Sequence, residues 1–135
     1  MSHLLDANAW IDWLRRGQAS GVHPRLMAVP PGTVFLCSVV LGELIYGAVH
    51  GDPKQLAKNM ASIAKVRKQA ISLPYDDAAA EHYGRVRDHL ARLGMPIGPN
   101  DLMIASIALA RHLTVVTHNT SEFSRVPGLL IEHWQ

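Results

Sequence analysis

Glu43 is an acid in apolar company. It lies in Ser38-Val39-Val40-Leu41-Gly42-Glu43-Leu44-Ile45-Tyr46-Gly47, a run that reads as a buried helix with one carboxylate. Its helical neighbours at three and four residues are Val39, Val40, Tyr46 and Gly47, and none is a cation. A carboxylate there is costly unless it is paired or holds a metal. The ordinary alternative is a helix margin that faces water. Two further acids stand at comparable places: Asp6 after the first expected strand, and Asp101 at the start of the most apolar helix. Thr117, Asn119 and Glu122 follow the strand near the C-terminus. If the strands run parallel, all of these converge on one edge. Acids gathered at a dry edge repel one another, and a divalent cation removes that repulsion. Oxygen donors without thiols suit Mg²⁺ or Mn²⁺ over Zn²⁺, and such ions commonly serve phosphoryl chemistry. Taken singly, Asp6 and Asp101 read as plain helix N-caps, and Asn119 and Glu122 as a capped turn. Capping does not explain Glu43. The joint placement carries the argument.

The elements that must position these residues follow from periodicity and breakers. His3 to Leu5 reads as a buried strand, and Ala7 to Arg16 as a helix with Trp10, Trp13 and Leu14 inward, stopped by Gly17. A short helix through Arg25 to Met27 is expected before Pro30-Pro31-Gly32. Thr33 to Cys37 is β-branched and aromatic, hence a strand, with Ser38 expected to cap the helix that carries Glu43. Gly51-Asp52-Pro53 ends that helix and starts an amphipathic one to about Ala70. Ile71 to Leu73 is a short strand and Asp76 to Leu93 a second amphipathic helix. After the loop Pro96 to Pro99, Asn100 or Asp101 is expected to cap the helix Leu102 to Arg111, apolar nearly all round and therefore central. Thr114 to Thr117 is a strand, Asn119 to Arg125 a turn or short helix, and Leu129 to Ile131 an edge strand. Strands alternating with helices imply an α/β fold with a central, mostly parallel sheet covered on both faces. In such sheets ligands bind beyond the carboxyl ends of the strands.

Composition narrows the classes. The 135 residues suit one domain, 1–135, and 48% hydrophobic against 18% charged argues for a folded globule. Aromatics at 6% do not favour a base-stacking platform, and a net charge of +2 permits a nucleic-acid partner without arguing for one. One cysteine, Cys37, allows no internal disulfide and no cysteine metal cluster, so a cytoplasmic location is expected. No signal peptide or membrane-spanning run is expected. The eight histidines lack the H-E-x-x-H spacing and are expected at the surface, with only His118 near the proposed edge. There is no G-x-S-x-G elbow and no phosphate-binding glycine loop.

These stretches resemble the motifs of a known family. Leu4-Leu5-Asp6-Ala7-Asn8-Ala9-Trp10-Ile11 resembles the opening motif of PIN-domain ribonucleases, and Ser38 to Leu44 their second. Asn100-Asp101-Leu102-Met103-Ile104-Ala105 resembles the third, and Val116 to Phe123 the fourth. The order and separation of the motifs match over nearly the whole chain. Its size and its ending from Val126 to Trp134 are most similar to the VapC toxins of type II toxin–antitoxin pairs. The resemblance implies a PIN-like three-layer α/β/α fold and a Mg²⁺- or Mn²⁺-dependent endoribonuclease. Asp6 and Asp101 would be the main metal ligands, Glu43 would complete the acidic cluster, and Asn119 falls on the family's fourth acid position, with Glu122 nearby. Ala7 stands where the family commonly has Thr. The resemblance also implies an RNA substrate, a cognate VapB-type antitoxin and a homodimer. The paired helices Pro53–Ala70 and Asp76–Leu93 are expected to wall the antitoxin groove and the dimer interface. Arg15, Arg16 and Lys58 are candidates for RNA backbone contacts, Thr117 and Asn119 for orienting the attacking water or the phosphate, and loop Gln18–Pro24 for target choice. A PIN-fold binding module without cleavage and an acid-metal phosphatase are the alternatives.

Overall fold

A computed structural model describes residues 1–135. Five strands form one sheet: β1 (His3–Leu5), β2 (Val34–Cys37), β3 (Ile71–Leu73), β4 (Thr114–Val116) and β5 (Ile131–Glu132). Their order is β3-β2-β1-β4-β5, and every pairing is parallel. Leu4 lies opposite Phe35 on one side and Val115 on the other. Leu4, Leu5, Leu36 and Val115 are fully buried, as an internal parallel sheet requires.

Seven α-helices connect and cover the strands: α1 (Ala7–Arg16), α2 (Val22–Ala28), α3 (Ser38–His50), α4 (Leu56–Gln69), α5 (Asp77–Arg92), α6 (Pro99–Arg111) and α7 (Thr120–Phe123). Right-handed crossovers put α1 to α4 on one face and α5 to α7 on the other. The helix contacts agree, since α1 and α4 both meet α3, while α5 and α7 meet α6. The chain moves from β1 through β2 to β3, then returns across the sheet to β4 and β5. The reversal leaves a switch point between β1 and β4, where a crevice opens beyond the strands' carboxyl ends.

Local chemistry explains most boundaries. Asp6 caps α1, accepting from the Ala9 N–H at 3.1 Å, and Gly17 ends it with φ of 54°. The central role of α6 is borne out by the burial of Leu102, Ile104, Ala105, Ile107 and Ala108. Several expectations need correction. Helix α6 begins at Pro99, which fits the first helical position, so Asp101 is inside the first turn and neither it nor Asn100 is the cap. Ser38 is the first residue of α3, whose Cys37 cap position has no side-chain cap. The last strand is Ile131–Glu132, two residues later than expected at its start. Gln18–Pro24 is not a loop but a 3₁₀ turn, Gly17–Ala19, running into α2. Helices α4 and α5 do not form one groove, because α4 packs on α3 and α5 on α6. His3 is buried, unlike the surface position expected for histidines. Cys37 is buried core, and burial pushes its thiol up to about 11. No helix is long and apolar enough to cross a membrane.

Candidate active site

The switch point gathers side chains from four elements. Asp6 leaves the end of β1, and its backbone N–H donates to the Val116 carbonyl of β4 at 3.0 Å, which locks the two strand ends together. Its side chain is 5% exposed. One carboxylate oxygen accepts from the Ala9 N–H, and the other accepts from the Thr117 hydroxyl at 2.5 Å. Burial nevertheless raises the Asp6 pKa, against the opposing pull of Thr117, Ala9 and His118.

Thr117 is fully buried, its hydroxyl donating to Asp6 and accepting from the Asn119 N–H at 2.9 Å. It therefore orients Asp6 and cannot reach a water or phosphate, contrary to the expectation. It also supplies a hydroxyl beside Asp6 where Ala7 brings none.

On the facing side, the Asn119 amide donates to Asp101 at 3.1 Å and to Glu122 at 2.6 Å. The Gly98 N–H, at the open start of α6, donates to the other Glu122 oxygen at 3.3 Å. Asn119 thus bridges two acids, and Glu122 brings a carboxylate to the position where Asn119 brings none. Burial, reinforced by Glu122, pushes Asp101 up to about 7, while Asp101 and Asn119 hold Glu122 below the usual carboxylate range. Two adjacent carboxyls resist joint ionisation, which accounts for the opposite directions.

Glu43 comes from the second turn of α3 and is half-buried. Burial raises its pKa, the Asn100 side chain opposes that, and Asp6 adds to it through charge repulsion. Its Oε1 is buried with no hydrogen-bond partner. All five carboxylate-and-amide residues singled out in the sequence, Asp6, Glu43, Asp101, Asn119 and Glu122, thus belong to one neighbourhood. Sequence reasoning missed Asn100 as a neighbour of Glu43, the Gly98 N–H, and His133, whose Nε2 is 3.0 Å from His118 Nδ1 at the exposed rim. The Pro99 start of α6 was a usable signal for the Gly98 N–H alone, since it makes Gly98 the cap residue, whose N–H has no partner within the helix.

None of the five ion pairs in the molecule involves Asp6, Glu43, Asp101 or Glu122. The donor chemistry fits a hard divalent cation: carboxylate oxygens, one of them an orphaned acceptor, with no thiolate. No three His, Cys, Asp or Glu side chains are arranged closely enough to cage an ion.

The PIN domain family model matches residues 3–129. The tRNA(fMet)-specific endonuclease VapC of Shigella flexneri is 42% identical over 134 residues, covering 99% of this chain and 98% of that one. The DNA-bound VapBC structure from Salmonella typhimurium aligns with a TM-score of 0.91 at 36% identity, over 100% of this chain and 99% of that chain. The promoter-bound VapBC2 structure from Rickettsia felis aligns at 0.92 and 29% identity, over the whole of both chains.

Proposed function

The chain belongs to the PIN-domain family and, within it, to the VapC ribonucleases, and from that premise we propose how its carboxylate edge works. The protein is a toxic endoribonuclease of a type II toxin–antitoxin pair, a hydrolase of RNA. Residues 1–135 are read as one PIN domain, supported by the family match over 3–129. Relatives whose names specify tRNA(fMet) make that RNA the first substrate to test. Solved relatives include VapBC complexes, which supports a VapB-type antitoxin as partner. A homodimer belongs to the same reading, two-fold dimers being the commonest assembly. Action on RNA and a lone buried cysteine suit the cytoplasm.

In this reading Asp6 and Asp101 would hold Mg²⁺ or Mn²⁺ directly, and Glu43 would reach it through water. When bound, the ion polarises a phosphoryl oxygen and lowers the pKa of a water. The chain's own residues do the rest. Thr117 and the Ala9 N–H fix the rotamer of Asp6. Asn119 ties Asp101 to Glu122, so that Asp101 keeps its place against the repulsion beside it. Glu43 Oε1, which no donor in the protein satisfies, accepts a hydrogen bond from water entering the crevice.

The observation that carries the reading is the gathering of pKa-raised, partly or fully buried carboxylates from three separate elements, none of them in an ion pair with a cation of the chain. A module that only bound RNA would have no use for that cost. The test is cleavage of tRNA(fMet) with Mg²⁺, with Mn²⁺ and with EDTA, by the wild type and by Asp6→Asn and Asp101→Asn. Either substitution is expected to lower the rate by roughly 10²–10³-fold or more, and EDTA to abolish it. Undiminished cleavage by both variants would overturn the site, and undiminished cleavage in EDTA would overturn the metal.

A further inference from the structure

Glu43 also lines an open cleft of about 500 Å³ on the α1/α4 side of α3. Two cations reach it from different helices, Arg15 of α1 and Lys58 of α4. Neither takes part in any ion pair of the molecule. The contrast with the adjacent arginine is direct, because Arg16 is held by Asp12 at 3.4 Å and by the Ala19 carbonyl at 3.0 Å, and it does not line the cleft. Cations that the fold leaves unneutralised on the walls of one cleft create a positive field across it.

The floor is unusual too. Leu44 and Gly47 of α3 form part of it. A Cβ built at Gly47 would meet nothing within 4 Å, so contact at that atom does not demand glycine there. Glycine inside a helix costs roughly 1 kcal/mol relative to alanine. What it leaves is an open floor over which another chain can run close to the helix.

We propose that this cleft carries the sugar–phosphate backbone of the RNA on one side of the scissile bond, with Arg15 and Lys58 each holding a phosphate of the strand whose cleaved phosphate lies at the acids. This rests on the nuclease reading above. Charge complementarity selects the occupant: a polyanion matches two free cations, and its continuation towards the acids is the segment a divalent ion would neutralise. The apolar floor faces the ribose edges, and Asn59 and Ser62 offer polar contacts without base selectivity. The cleft therefore supplies affinity and register, and target choice lies elsewhere.

The probe is an in vitro transcript of tRNA(fMet), bound in the Asp101→Asn background so that it is not consumed, with fluorescence anisotropy read across a salt series. Arg15→Gln/Lys58→Gln neutralises two exposed side chains while leaving them polar. It is expected to raise Kd about tenfold and to flatten the slope of log K against log salt by roughly 1–1.5, two phosphate contacts' worth. In the cleavage-competent protein the same pair should raise KM with kcat within about threefold, because backbone contacts remote from the reacting phosphate bind ground and transition states alike. Gly47→Met, which fills the floor without altering charge, should raise Kd and leave the salt slope unchanged. Wild-type affinity and slope in the double variant would overturn the cleft while leaving the nuclease reading intact. So would unchanged RNA binding accompanied by loss of antitoxin binding, which would give the cleft to a protein segment. If the wild type cleaves no RNA, the nuclease reading falls and this proposal falls with it.

Discussion

Two carboxylate clusters in this protein are built on opposite principles. Glu132, at the end of β5, is surrounded by donors from the chain itself. Arg25 Nη2 reaches one oxygen at 2.8 Å, the Trp134 indole N–H the same oxygen at 3.0 Å, and His3 Nε2 lies 3.3 Å from the other. Its pKa is lowered, first by the Trp134 hydrogen bond and, against an opposing cost of burial, by His3 and Arg25. Asp6 at the end of β1, Glu43 in α3 and Asp101 in the first turn of α6 move in the opposite direction and lack any ion pair. Where an acid serves the fold, the fold provides its counter-charge. Where the counter-charge is to come from outside, the acids are left partly or fully desolvated and mutually repelling, at a cost in stability.

The largest effect that would sharpen this contrast is a divergence between function and stability. Asp101→Asn removes a charge that the folded state disfavours, so it should raise Tm of the metal-free protein by a few degrees, equivalent to roughly 1 kcal/mol, while reducing cleavage by the factor already given. Asn caps helices as well as Asp, so Asp6→Asn should fold normally. Mg²⁺ or Mn²⁺ at 100 times its Kd should stabilise the wild type by about 2.7 kcal/mol, and this protection should vanish in the Asp6→Asn/Asp101→Asn pair. Thermal melts with and without the ion test both. Lower metal-free Tm in Asp101→Asn, or equal metal protection in the pair, would break the comparison.

Glu43 occupies the middle ground. Its Oε1 lacks a donor, yet the residue is only half-buried and approaches the cluster from α3 alone. Glu43→Gln should lower kcat by about 10–100-fold, the range for a group that acts on a metal through an intermediary. Single-turnover cleavage measures it directly, and a loss equal to that of Asp101→Asn would put the Glu43 carboxylate in direct contact with the ion.

How much of this was legible in the sequence depends on the range of the interactions. The alternation of strands and helices, and hence a parallel sheet with acids at its carboxyl edge, follows from local periodicity and breakers. Asp6 as both cap and site residue is local as well. The role of Thr117 was not legible. Its hydroxyl looks free until β4 is set beside β1, across 111 residues, and the strand pairing then buries it against Asp6. Asn119 reads along the chain as a lost acid, yet in space it is the link between Asp101 and Glu122. The start of α6 was mispositioned by weighing Asn100 and Asp101 as caps when Pro99 already marked the first helical residue. Trp134, a partner of Glu132, is only two residues away, but His3 and Arg25 come from the first strand and from α2, and nothing local in Ile131-Glu132-His133 announces those two.

That last cluster gives the smallest effect and the cleanest control. Glu132→Gln keeps the shape and an acceptor for Trp134 but removes the charge opposite Arg25. The Arg25 and Glu132 side chains are 53% and 29% exposed, so water screens the pair and the expected loss at pH 7 is about 1 kcal/mol or less. The pH dependence fixes its origin. A carboxylate whose pKa is lower in the folded than in the unfolded state binds fewer protons when folded. Its contribution is therefore full above the ordinary glutamate value of 4.5 and fades as pH falls through the depressed folded value. The Tm difference between wild type and Glu132→Gln should be constant from about pH 6 to 8 and shrink towards zero below about pH 4. Cleavage of tRNA(fMet) at pH 7 should be unaltered, because Glu132 already has its counter-charge and has none to offer a metal. A Tm difference that persists undiminished at low pH would assign the loss to packing around Trp134 rather than to charge. A drop in cleavage with unchanged stability would move Glu132 into the acidic site and end the division between the two clusters.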